Sequence, residues 1–150
     1  RGAENQQAVR NCLYIGFQLV LTLAVVLASL LWLFNESIAH WYTKDLAVAQ
    51  LATTLLAVIG VFHLLDALQT ICFFVLRSFK VTIAPVLIYS IPLWGIGLTG
   101  GSSLAYDGLG PFSAMQSPTA FWYMNILALT LVCTGLLILI QLQLKKSKAI

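Results

Sequence analysis

Charge is what this sequence has least of. Of its 150 residues only 9% are Asp, Glu, Lys or Arg, and 60% are hydrophobic, whereas an ordinary soluble domain is roughly a quarter charged. Eight basic and five acidic residues cannot cover the exterior of a soluble globule of this size. A water-soluble fold is therefore excluded, and a mean hydropathy of +0.93 makes lipid the solvent for most of the chain. Cysteine is scarce too. Cys12, Cys72 and Cys133 are far apart with no C-x-x-C spacing, which excludes a redox pair or a zinc site and leaves small, buried apolar residues as the expectation. The two histidines, His40 and His63, fall on different segments, so a haem-carrying membrane oxidoreductase has little to stand on. No signal peptide is visible and the first residue is Arg1 rather than methionine, so a piece of a longer protein is expected.

What the sequence has in quantity is long apolar runs. Asn11 to Phe34 carries no charge and, at about 1.5 Å per residue, exceeds a hydrocarbon core of about 30 Å. It stops at Asn35-Glu36-Ser37, and the connection to Asp45 mixes His40, Trp41, Tyr42 and Lys44, as expected at a water interface. Leu46 to Leu76 is a second run, interrupted by Asp66 and ended by Arg77-Ser78-Phe79-Lys80. The third, Val81 to Tyr106, is charge-free but holds Pro85, Pro92, Gly95, Gly97, Gly100 and Gly101, which predicts a kinked or locally unwound span. A Gly/Pro/Ser-rich loop, Asp107 to Pro118, leads to the last run, Thr119 to Leu144, and then to Lys145, Lys146 and Lys148. The expected fold is an all-α membrane protein with four transmembrane helices, over about 12–34, 47–76, 82–106 and 119–144.

Four spans return the chain to its starting side. Arg1, Arg10, Arg77, Lys80, Lys145, Lys146 and Lys148 fall on one face and Lys44 alone on the other, so both ends of the segment are expected in the cytoplasm. Trp32, Trp41, Tyr42, Tyr106, Trp122 and Tyr123 cluster at the opposite interface, where amphipathic rings favour the headgroup layer. The terminal lysines can also attract anionic lipid, although orientation is sufficient reason for them.

Asp66 is the informative exception. Arg77 lies eleven positions further on, which places Asp66 roughly 16 Å inside the membrane, near its midplane. A charge at that depth costs on the order of 3 kcal/mol, and such residues face bundle interiors or wet cavities on ion and proton pathways. No lysine or arginine of this chain shares its depth, so the acid is protonated, paired with a group outside this segment, or bound to a cation. His63, Gln69 and Thr70 stand at i−3, i+3 and i+4, on the same helical face. They can supply nitrogen or oxygen donors to a cation or proton site at Asp66, or serve interhelical hydrogen bonding alone.

Two other patterns carry less. Gly95-Ile96-Gly97-Leu98-Thr99-Gly100 matches G-x-G-x-x-G, but a dinucleotide fingerprint needs a preceding strand and a βαβ unit. Close helix approach or a bend explains it better. Asn35-Glu36-Ser37 reads formally as a glycosylation acceptor, but ending the first helix is its simpler role.

The pattern as a whole resembles a family. Gly2-Ala3-x-Asn5-x-x-x-Ala8-x-Arg10 before a long apolar helix is similar to the connection after the eighth helix of multidrug and toxic compound extrusion (MATE) transporters of the NorM type. Phe62-His63-Leu64-Leu65-Asp66-Ala67-Leu68-Gln69, continuing to Leu76-Arg77-Ser78-Phe79-Lys80-Val81-Thr82 and Pro85, resembles the tenth helix and the loop after it. Pro92-Leu93 and Phe121-Trp122 fall where the eleventh and twelfth helices carry similar residues. Ser78 and Ala120 depart from the family, which usually has glycine at both places.

The resemblance implies the last four helices of a twelve-helix, two-lobe transporter, here the C-terminal part of the second six-helix lobe. It implies a non-enzymatic, secondary active exporter of amphipathic, often cationic drugs in exchange for Na+ or H+. The coupling ion would be held by Asp66 together with groups on upstream helices of the same parent chain. Expected partners are membrane lipid, those small molecules and the upstream helices, with no nucleic acid and no cofactor beyond the ion. The expected location is the bacterial inner membrane. A four-span assembly subunit, with Asp66 paired to a base on a partner, and a self-contained four-helix drug carrier are the alternatives that the residues alone leave open.

Overall fold

The computed structural model describes residues 6–148, with the side chains of Gln6, Ser147 and Lys148 outside the description. Arg1 and the Gly2, Ala3 and Asn5 part of the opening motif also lie outside the described residues. The described chain is helical, with four helices long and apolar enough to cross a membrane. Helix α1 runs Gln6–Leu33, a short α2 Asn35–Tyr42, α3 Leu46–Ser78, α4 Ile83–Pro92 and α5 Thr119–Lys148. Between α4 and α5, two π-helical segments, Leu93–Gly100 and Ser103–Asp107, complete a third span over Ile83–Asp107.

Local chemistry sets the ends. The Asp45 side chain accepts hydrogen bonds from the Ala47 and Val48 amides at 2.9 and 3.2 Å, capping the N-terminus of α3, where orphan donors otherwise need water. At the other end Lys80 takes a left-handed φ of 60°. Its amide donates to the Arg77 carbonyl at 2.9 Å and that of Val81 to Leu76 at 3.1 Å, a Schellman-type stop. Ser78 lies inside the helix, and its hydroxyl donates to the Val75 carbonyl at 2.7 Å. Serine for the family glycine therefore meets no backbone demand there. Ala120, the other departure, is fully buried. The loop after the third span folds back on it: Met115 and Gln116 donate to the carbonyls of Leu104 and Ala105 at 3.0 and 2.9 Å.

One expectation changes here. The connection after the first span is not merely an interfacial mixture. Asn35-Glu36-Ser37 does end α1, at a bend on Phe34, but Asn35 at once begins α2, whose Trp41 and Tyr42 are exposed. The third span is disturbed where its proline and glycines predict: the α-helix ends at Pro92 and a wider π-helix takes over from Leu93. Pro92 keeps helical angles (φ −67°, ψ −36°), and beyond it the backbone continues as a π-helix over Leu93–Gly100; separately, the Thr99 hydroxyl donates to the Trp94 carbonyl at 2.7 Å. Pro92 has no N–H to give, and one residue of extra reach lets the ladder resume without a break.

Spatial order differs from chain order. α3 packs against α1 on one side and α5 on the other, and α5 packs in turn against the third span. Leu129, Val132 and Leu136 of α5 join Cys72, Val75 and Leu76 of α3 in the core. Small residues let the backbones close in. A Cβ on Gly60 would stand 3.3 Å from the Ala28 carbonyl oxygen of α1, and one on Gly97 would stand 2.6 Å from Asn125 Oδ1 of α5. Gly97 and Gly100 of the G-x-G-x-x-G stretch thus pack against Asn125 and Met124 of α5, while Gly95 faces open space. Cys72 and Cys133 are buried as expected, but Cys12 is exposed on α1. It lies near the start of that helix, where neighbours such as Asn11 and Tyr14 are exposed as well.

Candidate functional site

The site candidates all stand on α3, which the Asp45 cap and the Lys80 stop fix at its two ends. Helical geometry brings His63, Asp66, Gln69 and Thr70 to one side of that helix. The first three are half-buried and Thr70 is exposed. Among the described residues none of the four side chains makes a hydrogen bond, and none is a fully buried polar atom left without a partner. Interhelical hydrogen bonding within this segment is therefore not what holds them.

One turn of neighbouring backbone is tied down. The Cys133 thiol of α5 donates to the Leu65 carbonyl of α3 at 3.3 Å, which pins the residue next to Asp66. Three residues earlier, Phe62 meets Trp122 of α5 edge-on, with ring centroids 5.3 Å apart. α5 thus holds one flank of α3 at the level of the acid. Asp66, next to Leu65, stands close enough to the Cys133 thiol of α5 to act on it electrostatically.

Gln69 and Thr70 line a groove of about 500 Å³ between the end of α3 and the start of α4. Its other polar residues are Arg77 and Thr82, and its apolar walls include Phe73 and Pro85. Phe73 packs edge-on against Tyr89 of α4 at 5.9 Å, which closes the groove toward the bundle core. His63 and Asp66 do not line it; they continue the same side of α3 beyond its inner end. Arg77 and Thr82 have roles here that the sequence did not suggest, since Arg77 read only as a boundary charge. Their signal was present in the spacing, because Thr70 and Arg77 are two helical turns apart.

Among the described residues no three His, Cys, Asp or Glu side chains come together in a way that could hold a metal ion. Asp66 offers one carboxylate, with amide, imidazole and hydroxyl donors beside it. That set can bind a proton, or give a monovalent cation some of its ligands. It does not complete a cage.

These features define a class first: a stretch of an integral membrane helix bundle. The chain belongs to the MatE family, which it matches over residues 1–100. It is 33% identical over 129 residues to a protein of Aromatoleum aromaticum described as a probable multidrug resistance protein NorM, an alignment covering 85% of this chain and 27% of the relative. Proteins of the same description from Neisseria meningitidis serogroup B and Chromobacterium violaceum are 35% and 33% identical, over 85% and 91% of this chain and 27% and 29% of theirs. The chain thus spans a little over a quarter of the length of these relatives. No solved structure matches it.

Proposed function

We propose that this chain is the C-terminal part of the second six-helix lobe of a multidrug efflux antiporter, which exports amphipathic or cationic drugs in exchange for Na+ or H+. Asp66 holds the coupling ion, with Gln69, His63 or Thr70 as neighbouring donors and further ligands from upstream helices of the parent chain. The observation that carries this reading is an acid near the middle of a 33-residue membrane helix, half-buried and without a hydrogen-bond partner among the described residues, in a chain of the MatE family. An ionised carboxylate at that depth is too costly to keep without a cation or a proton.

Coupling requires that the ion bind one access state better than the other, because only a difference in affinity shifts the equilibrium between states. A half-buried acid beside a groove suits that role, since movement of the surrounding helices changes both its hydration and its ligands. The segment sits in the bacterial inner membrane with both ends cytoplasmic, a placement supported by the basic residues at the Arg10, Arg77–Lys80 and Lys145–Lys146 ends.

The test is Asp66→Asn in the full-length protein, with drug efflux driven separately by a Na+ gradient and a pH gradient in inside-out vesicles. Loss of gradient-driven efflux, with normal membrane insertion and drug binding, is expected. Efflux at the wild-type rate under both gradients would remove Asp66 from the mechanism. Which gradient drives the unmodified protein identifies the ion.

A further inference from the structure

The groove below Asp66 has features that packing alone does not require. At about 100° per residue, Asp66, Thr70 and Arg77 fall within about 40° of one another around α3. They form one line from the membrane interior to the helix end, and the groove opens along its lower part. Thr53, Thr54, Thr130 and Thr134 each donate their hydroxyls to a carbonyl of their own helix at 2.7–3.1 Å. That is the usual fate of a threonine in a membrane helix, where no water competes. Among the described residues Thr70 of α3 makes no such bond, as is also true of Thr22 on α1, and Thr82, which precedes α4, makes no capping bond either; what sets Thr70 and Thr82 apart is that both line this groove. With Gln69 they present free oxygens along a cleft that is otherwise walled by Phe73 and Pro85. Free hydroxyls on a cleft with room for several waters are what a hydrated cation needs in place of its shell.

We propose that this groove is the hydrated path by which the ion held at Asp66 exchanges with the aqueous phase on the Arg77 side of the membrane, with Thr70 its first relay ligand and Thr82 near its mouth. The proposal rests on the Asp66 reading above. Arg77 stands at the outer end of the same line, roughly 16 Å from Asp66 along the helix. A fixed positive charge there lowers cation occupancy of the path, so that an ion arriving from Asp66 is released rather than retained. Arg77 is thus a positioning residue for release, acting through the field and not by contact.

The experiment uses the full-length transporter in vesicles of each orientation, in a background whose remaining thiols do not react. Thr70→Cys and Thr82→Cys are exposed to a membrane-impermeant cationic thiol reagent. Leu68→Cys, which points into the core cluster, serves as the control. Labelling of both groove positions from the Arg77 side is expected, with Thr70→Cys protected by saturating coupling ion. Arg77→Glu should lower the ion concentration for half-maximal protection by about fivefold, the effect of a two-unit charge change roughly 16 Å away at an effective dielectric of about 40. Arg77→Lys should leave it within about twofold, by the same charge argument.

Groove cysteines as inert as Leu68→Cys, labelling only from the opposite side, or protection indifferent to Arg77→Glu would each overturn the path. Asp66→Asn in the same vesicles separates the two readings. Coupled efflux lost in Asp66→Asn while Thr70→Cys stays unlabelled removes the path and keeps the ion site. Coupled efflux retained removes both.

Discussion

Gly97 and Asn125 meet where the third span crosses α5. Asn125 donates its amide to the Phe121 carbonyl of its own helix at 2.8 Å, which turns its Oδ1 toward the place a Gly97 side chain would occupy. Gly97→Val is therefore expected to lower the thermal midpoint of the detergent-solubilised protein, by an amount equivalent to about 1–3 kcal/mol. Asn125→Ala in the same chain should recover most of the loss, because it removes the opposing atom. Equal losses with and without Asn125 would show that the two residues do not meet. The sequence offered glycine spacing at this place but not the partner, since a lone asparagine in an apolar run has no periodicity to announce its neighbour. Asp66 was the opposite case. As an acid in an apolar run it is a candidate from one letter and its position, whereas the groove beside it depends on how α4 leaves the Arg77 turn, and no local pattern encodes that.

At the scale of the element, the caps and the π segments hold different lessons. Asp45 satisfies two amides at once, and Asp45→Ala should destabilise α3 by about 1 kcal/mol while Asp45→Asn stays near neutral; thermal unfolding of the two variants side by side decides it. Lys80 sits in a left-handed conformation without the excuse of a missing Cβ. Lys80→Gly should therefore raise stability by up to about 1 kcal/mol, read as a higher thermal midpoint in detergent. The four spans themselves were legible because hydrocarbon thickness fixes a minimum length, and apolar runs of that length are hard to hide. α2 was not, because eight residues of mixed polarity at an interface have no period long enough to stand out. The disturbance of the third span was legible too, because proline and glycine announce a disturbed ladder, but its particular form, a π register after Pro92, has no signature in the local sequence.

The whole molecule is a bundle with much of its apolar surface outward. In the most hydrophobic stretch of each of the first three spans only 11% of residues are buried, against 33% for the last. Lipid covers some of the remainder, and the upstream helices of the proposed parent would cover more. Because lipid is as apolar as leucine, it is tight contact that holds the helices together. Leu136, fully buried in α5, should for that reason cost about 2–3 kcal/mol when cut to alanine, near the low end for core leucines, while Leu137→Ala on the exposed side should cost little. Equal melting shifts for the two would argue against this packing.

The position of α5 also bears on how the protein is made. Chain order runs from α3 to the third span and only then to α5, yet α5 packs on both more extensively than they pack on each other, their direct contacts including Phe73 with Tyr89. Helices leave the ribosome in sequence, so the second and third spans enter the membrane before the element that joins them exists. Until Thr119 and the residues after it arrive, the two spans are joined only by the Arg77–Thr82 turn and contacts such as Phe73 with Tyr89. A transcript cut short before Thr119 would leave Gly97 without Asn125 and the Leu76 cluster without Leu129, Val132 and Leu136. Such a product should be removed by membrane proteases far faster than one that ends just beyond Lys148.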